Sequence, residues 1–496
     1  MKLERSRFLD FLNLSAAWET WLLVLFIVLA TISGGLAAFI GAELGWIGLI
    51  AVPGMIVALA ILIWPLLGLS TFIFIIFIQL SYVINNYHSG IPAPGMPLLG
   101  VLLFLIIWRM VIYGDRPTGW KRASIIFLVI VAWLLSVLVA DNFTYAIQSF
   151  QKFVENALLA FVVVFFITDK YSLRVSIWTI LLAGAFMASI SVFQYLTSTY
   201  GNFYWGYGGW IEATTGGSNS HRLAGPYGNP NAYAQVLVVI VPLALDRLWH
   251  EKKISHRILA GYVIAVCTLA IFFTYSRNGF VTLILTLGFL VFMRRPRIGP
   301  LVITGMLGIL LLQFLPVSYT ERITTLFQFS SGSSSQVADQ SFRGRISENL
   351  AAWMMFKDHP LLGVGLDNFQ MNYQSYSRQI GIDSRRDQRS PASFYLELLS
   401  EQGLVGTTIF LIFLVFIFRE LWKAYQKFSA LEMYDSGFMT VAFVSGLLGY
   451  QTFYISKNSA YPNVFWILLG LSISIAQVAE NSEASLRSRM IGVESK

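Results

Sequence analysis

The sequence predicts an all-α, polytopic membrane protein that crosses a bilayer about 14 times. Composition is the first observation behind this. Of 496 residues, 56% are hydrophobic and only 12% charged, with a mean hydropathy of +0.66. Second, apolar runs of roughly 17 to 25 residues recur along the chain, each long enough to cross a hydrocarbon core about 30 Å thick. Third, no comparable polar stretch suggests a separate soluble domain. Inside a bilayer every backbone N–H and C=O must find a partner within the protein, which selects helices over lone strands.

In chain order the spans fall near residues 20–42, 45–64, 66–84, 97–113, 123–140, 153–168, 173–197, 232–248, 257–275, 278–293, 298–316, 404–421, 435–455 and 461–478. Prolines and glycines inside them read as kinks. The first is expected to stay in the protein: Glu4, Asp10 and Glu19 precede it, and no small-residue cleavage site stands out. Residues 1–316 are expected to hold spans one to eleven with short loops. A large extracytoplasmic loop with amphipathic helices covers 317–403, and 404–496 hold the last three spans and a cytoplasmic tail. Cys267 is the sole cysteine, so no internal disulfide forms. The run "SSGSSS" at 330–335 reads as a flexible stretch of the long loop.

Orientation follows from where the basic residues lie. Lys2, Arg5 and Arg7 precede the first span. Every second loop afterwards tends to be basic: Arg116, Lys121 and Arg122; Lys170 and Arg174; Lys252, Lys253 and Arg257; Arg294, Arg295 and Arg297; Arg419, Lys423 and Lys427; Arg487 and Arg489. Cytoplasmic termini place all of these inside, and the 85–97, 141–152, 198–231 and 317–403 loops outside. The net charge of +8 is therefore mostly a topological signal. Basic residues dispersed over short inner loops make a poor nucleic-acid footprint, so no nucleic-acid partner is expected.

The arginines left on the outer face carry the functional signal. Arg222 lies in "SNSHRLAGPYGNPNAYAQ" and Arg277 in "FTYSRNGF"; Arg343 and Arg345 open "RGRISENLAAWMMFKDHPLLGVGLDNF". An arginine at a membrane boundary is costly unless it reaches water, a carboxylate or a phosphate. Its planar fork suits phosphate oxygens, so several arginines converging on one face point to an anionic lipid head group. Any one of them alone is equally well explained by snorkelling or a structural ion pair.

The long loop is expected to be ordered in part. Ile346, Leu350, Trp353 and Met354 recur near helical spacing, an amphipathic pattern suited to the membrane interface. Pro360 ends that helix, and Gly363 and Gly365 permit a turn close to other backbone. His359, a lone loop histidine, reads as structural before catalytic. In "SPASFYLELLSEQG" Ser390 is the expected helix N-cap and Pro391 the first helical residue. Glu397 and Glu401 stand one turn apart on one face. They are an acid/base pair or, as the favoured reading, salt-bridge partners of nearby arginines.

Soluble-enzyme motifs are missing. The sequence holds no P-loop, no H-E-x-x-H, no paired C-x-x-C and no G-x-S-x-G in a strand–helix setting. No acidic cluster resembles a metal-bound sugar-nucleotide site. Chemistry is expected at the outer membrane surface, with no cofactor and no metal.

Four stretches carry a resemblance. "RLAGPYGNPNAYA", "YSRNG", the block from Arg345 to "DHPLLGVGLDNF", and "YLELLSEQGLVG" are similar in order and spacing to the O-antigen ligase and O-antigen polymerase family of polytopic membrane glycosyltransferases. The likeness spans roughly residues 220 to 420, and the span count agrees with it. It implies a GT-C-like fold in the bacterial inner membrane, with the active site facing the periplasm. It also implies an inverting, metal-independent transfer of glycan from an undecaprenyl-diphosphate donor, in surface polysaccharide or lipopolysaccharide synthesis. The acceptor is a hydroxyl on lipid A core, on a growing glycan or on a related molecule. The lipid bilayer and other polysaccharide-assembly proteins are further implied partners. The family's diphosphate-holding arginines match Arg277 and Arg345, and Arg222 matches a third recurrent arginine.

The chemistry asks for these residue types. A diphosphate gains negative charge as it leaves, and fixed guanidinium groups stabilise it in place of a metal. The acceptor hydroxyl is weakly nucleophilic, so a base helps to remove its proton. In the family a histidine does this, in a Pro-His-Asn/Ser-x-Tyr-Leu-Glu pattern; here "PASFYLE" puts Ala392 at that position. Alanine carries no proton, and losing a general base costs about 10² to 10⁴ in rate. Either the sequence is an engineered inactive variant with the base removed from an otherwise intact site, or it is a natural member that has lost this step or performs it with Glu397, Glu401 or His359. The motifs do not separate polymerase from ligase, with polymerase or general polysaccharide synthesis slightly favoured. The alternative is an anion transporter, for inorganic carbon, within the same family. The lack of an inverted repeat and the gathering of arginines at one face count against it.

Overall fold

The computed structural model describes residues 60–61, 63–88, 90–112, 114, 120–215, 218–294, 299, 302, 305–306, 336–382, 389–457 and 463–494. The chain divides into two compact units, residues 1–68 and 69–496. The expected span near 20–42 and the run at 330–335 lie outside the described residues, as do most of the spans near 45–64 and 298–316. So do the charged residues before the first span, together with Arg116, Arg295 and Arg297.

The described chain opens on a broken pair, α1 (Pro65–Phe77) and α2 (Leu80–Tyr87), bent by 53°. Gln79 makes the break, in the left-handed region at φ 53°. Four helices follow: α3 (Gly95–Ile112), α4 (Trp120–Leu138), α5 (Phe143–Phe166) and α6 (Lys170–Leu196). A hairpin of β1 (Trp210–Thr215) and β2 (Ser218–Leu223) leads to α7 (Pro230–His250), α8 (Ile254–Phe273) and α9 (Arg277–Arg294). Then come α10 (Gln336–Asp358) and α11 (Phe369–Ile380), and finally α12 (Phe394–Ala430), α13 (Tyr434–Phe453) and α14 (Asn463–Glu494). Among the described residues eight helices are long and apolar enough to cross a membrane, or nine if α1 and α2 form one broken span. The chain is an all-α polytopic membrane protein, as its hydropathy predicts.

Local sequence sets the helix starts. Asn142 accepts from the Tyr145 N–H at 3.1 Å to begin α5, and Asp169 with Ser172 forms a reciprocal cap on α6. Asn229 caps α7 and Pro230 follows, where a missing N–H costs nothing. Helix α7 is buried along most of its length and packs against α6, α8, α9 and α13, so it forms the centre of the bundle.

The hairpin was not anticipated. Its six-residue strands, "WIEATT" and "SNSHRL", pair antiparallel with Ile211 opposite Arg222, yet neither shows a clean apolar alternation.

The amphipathic helix expected over 345–357 is α10, longer at its start and ending before Pro360 as expected. Ala351, Ala352 and Met355 bury one face with Val364, Phe369 and Tyr373, while Leu350 and Trp353 stay exposed. Within α12, Gly403 interrupts the helix at φ 58° and ψ −161°, a conformation open essentially to glycine. The N–H groups freed by the break are taken up by the turn after α10. Leu404 donates to the Pro360 carbonyl at 2.8 Å and Val405 to Leu361 at 3.1 Å. In return, Val364 and Gly365 donate to the carbonyls of Ser400 and Glu401 at 2.9 and 3.2 Å. "DHPLLGVG" and "YLELLSEQG" are therefore one structural unit.

At the far end of the α7–α9 bundle, charges neutralise one another. Buried Arg247 bonds Asp246 at 2.5 Å and Asp435 at 3.1 Å, and Arg294 bonds Asp246 at 2.6 Å. Arg174 pairs with Glu251, and Arg122 with Glu420 and Glu480. Arg122, Arg174 and Arg294, from the predicted inner loops, are thus engaged by carboxylates, and so is Arg247 near the end of the predicted span 232–248.

Candidate functional site

The first two motifs meet at the turn between α8 and α9. Thr274 closes α8, and Tyr275 sits in the left-handed region at φ 50°. Ser276 then caps α9: its hydroxyl accepts from the Gly279 N–H at 3.1 Å and donates to Asn231 Oδ1 at 2.8 Å. Asn231 belongs to the first turn of α7. From β2, Arg222 donates its Nε to the Thr274 carbonyl at 2.9 Å, and the Tyr195 and Tyr275 hydroxyls meet at 2.6 Å. The hairpin and the starts of α7 and α9 are thus bonded together, and Arg222 stands beside the turn that presents Arg277.

Arg277 opens α9 and Arg345 lies on α10; both side chains are exposed. Far apart in sequence, they lie close enough that the Arg345 charge acts on Arg277. Bringing two guanidinium groups together is unfavourable, and an anion between them would reverse the sign of the interaction. The stretch of α10 around Arg345 is anchored by its neighbours. One turn on, Glu348 accepts from Arg389 Nη1 at 2.8 Å, and Ser347 accepts from the Tyr373 hydroxyl at 3.1 Å. The Arg389 bond ties α10 to the segment that carries Ala392. Arg343, also exposed, sits two residues before Arg345.

Helix α12 starts later than its sequence suggests. The N-cap is Ser393 and the first helical residue Phe394, not Ser390 and Pro391. Two contacts explain the shift. The Phe394 N–H donates to the carbonyls of Tyr454 and Lys457 at 3.0 and 3.1 Å, and Ser390 is occupied as an acceptor for Gln370 Nε2 at 2.7 Å. Ala392 therefore lies half-buried just ahead of the helix rather than in its first turn.

The carboxylates separate in role. Glu401 accepts from the N–H groups of Asp367 at 2.9 Å and Phe369 at 3.3 Å, so it holds the glycine turn and the start of α11. Its expected pairing with arginine is replaced by these backbone bonds, because the Gly403 break folds the turn directly onto it. Glu397 is buried one turn earlier, within electrostatic reach of Glu401 and Lys457. His359 is exposed at the end of α10, where its carbonyl accepts from the Gly363 N–H at 3.1 Å.

Lys457 was passed over in the sequence. It follows α13, and its amine donates to Gln235 Oε1 at 3.0 Å, while Gln235 Nε2 donates to the Tyr450 carbonyl at 3.1 Å. Burial pushes the Lys457 amine down to about 8, against the opposing pull of the Glu397 charge. The signal that would have found it is a lysine in a loop that alternation of the spans assigns to the outside. Among the described residues no group of three or more His, Cys, Asp or Glu is arranged to hold a metal ion.

Residues 261–411 match the family model described as O-antigen ligase. The match is a likeness of this segment to O-antigen ligase. It covers just under a third of the chain and takes in Arg277, Arg345, Ala392, Glu397 and Glu401. Arg222 and Lys457 fall outside it. No curated protein matches the chain.

Proposed function

We propose that this protein is a membrane glycosyltransferase of surface polysaccharide synthesis. It moves or polymerises glycan from an undecaprenyl-diphosphate donor onto a hydroxyl acceptor. The observation that carries the reading is the approach of Arg345 to Arg277 inside a segment that matches O-antigen ligase. Arg222 stands beside the same turn through its bond to Thr274.

In this reading the arginines bind the two phosphates and hold the charge that grows on them as the glycosidic bond breaks. The acceptor oxygen attacks from the side opposite the diphosphate, so the anomeric configuration inverts. Guanidinium groups supply the positive charge, and no metal is required. Ala392 occupies the place of the family's histidine and contributes space, not a proton acceptor; Glu397 faces the same region from the first turn of α12. The site opens to the outside of a bacterial inner membrane, with both termini in the cytoplasm. The four motifs do not separate polymerase from ligase; polymerisation or general polysaccharide synthesis is slightly favoured because they name no lipid A acceptor.

Purified protein given a lipid-linked glycan donor and a hydroxyl acceptor, with a chelator present, is expected to release undecaprenyl diphosphate and form an inverted glycosidic bond. Failure with every acceptor tried, together with anion movement into vesicles that hold the protein, would replace this reading with transport.

A further inference from the structure

We propose that the Lys457 amine is the proton acceptor for the acceptor hydroxyl, acting where Ala392 offers none. The inference rests on the glycosyltransferase reading above. Three contacts place Lys457 at the junction of the site's elements. Its carbonyl receives the Phe394 N–H at 3.1 Å, which fixes its backbone two residues from Ala392. Its amine is held by Gln235 at 3.0 Å, one turn along α7 from Asn231. Asn231 in turn bonds Ser276 at 2.8 Å, the residue next to Arg277. Lys457 therefore links the start of α12, where the family's base belongs, to the start of α9, where the diphosphate is proposed to bind.

The surroundings suit a reversible proton acceptor. Glu397 on α12 is the charge acting on the amine, and it stabilises the ammonium form once made. Tyr454 lies within electrostatic reach of Glu397, Tyr395 and Tyr450, and the group facing the amine from α7 is the uncharged Gln235. Burial holds the amine near 8, so a useful fraction is neutral at physiological pH, and lysines tuned to this range serve as general bases. The other carboxylate is committed elsewhere, since Glu401 is bonded to the Asp367 and Phe369 N–H groups.

The step balances without another reactant. The acceptor O–H proton moves to the lone pair on Lys457 Nζ as the oxygen bonds to the anomeric carbon. The bond from that carbon to the diphosphate oxygen breaks, and its electron pair stays on the phosphate held by the arginines. The ammonium then returns its proton to water.

Lys457→Arg separates this role from a structural one, because arginine keeps the charge and the donor to Gln235 but does not lose a proton at working pH. Lys457→Arg is expected to lower kcat on a lipid-linked donor by about 10² or more while donor KM changes less than about threefold. Parent kcat is expected to rise as pH passes through about 8. A second measurement needs no variant: the pH dependence of amine acetylation at Lys457 in the parent protein, read by mass spectrometry, should give a midpoint near 8 rather than the ordinary 10.5. A midpoint near the ordinary value, or a Lys457→Arg protein that keeps kcat within threefold of the parent, overturns the assignment and leaves the glycosyltransferase reading standing. A midpoint near 8 in a parent that transfers no glycan to any acceptor instead rejects the glycosyltransferase reading, and the base with it.

Discussion

Alanine at both Arg277 and Arg345 is expected to weaken binding of an undecaprenyl-diphosphate donor by about 10² to 10⁴. Each hydrogen bond to a charged group contributes about 1.5–3 kcal/mol, and each 1.4 kcal/mol is tenfold in affinity. The two side chains are exposed and near one another, so an anion that bridges them removes their mutual repulsion as well as gaining both bonds. Either single substitution is expected to cost about 10- to 100-fold. Lys427→Ala is the control. Its amine lies near the far end of α12 and bonds Glu483 at 3.0 Å, so donor affinity should stay within about twofold. Binding of a labelled donor to detergent-solubilised protein measures all four proteins. Similar losses in all of them would return the arginines to a structural role. Exposed charges are also screened, so donor affinity should fall as ionic strength rises.

Gly403→Ala is expected to destabilise the protein by about 3 kcal/mol or more, enough to lose most folded protein on extraction. A Cβ at Gly403 would lie 2.4 Å from the Leu361 backbone carbon and oxygen, in a conformation that already disfavours any side chain. Neither backbone strand can yield, because each bonds the other through Leu404, Val405, Val364 and Gly365. Gly381→Ala provides the comparison. Its φ of 71° is also left-handed, but nothing lies within 4 Å of the added carbon, so about 1–2 kcal/mol is expected. Thermal unfolding in detergent separates the two, and equal losses would show that the close approach of α12 to the α10 turn contributes nothing. The functional consequence is direct: this join sets the positions of Arg345 and Ala392 relative to one another.

The spans were legible because burial in lipid demands long apolar runs, and those runs survive local irregularity such as the α1–α2 bend. The arginines were legible for the opposite reason: each is a charge where the topology disfavours one. The electrostatic approach of Arg277 to Arg345 was not readable from either motif alone. It joins residues far apart in sequence, on α9 and α10, with no local pattern in common. The start of α12 was misread because a Ser-Pro pair is a strong local signal, yet the carbonyls of Tyr454 and Lys457 decide where the helix begins. Glu401 reads in the sequence as a salt-bridge partner of a nearby arginine before an acid/base group, but the glycine turn places two N–H groups on its carboxylate. Lys457 shows the same limit. A lone lysine in a short loop carries no motif, and its significance comes from Gln235 and Phe394, which only the fold brings to it.

The most direct test of the arginine site is a structure of the protein with an undecaprenyl-diphosphate analogue bound. The expected result is phosphate oxygens about 2.7–2.9 Å from the guanidinium nitrogens of both Arg277 and Arg345, with Arg222 alongside. Phosphates seated instead among Arg122, Lys423 and Lys427, with Arg277 and Arg345 untouched, would contradict it.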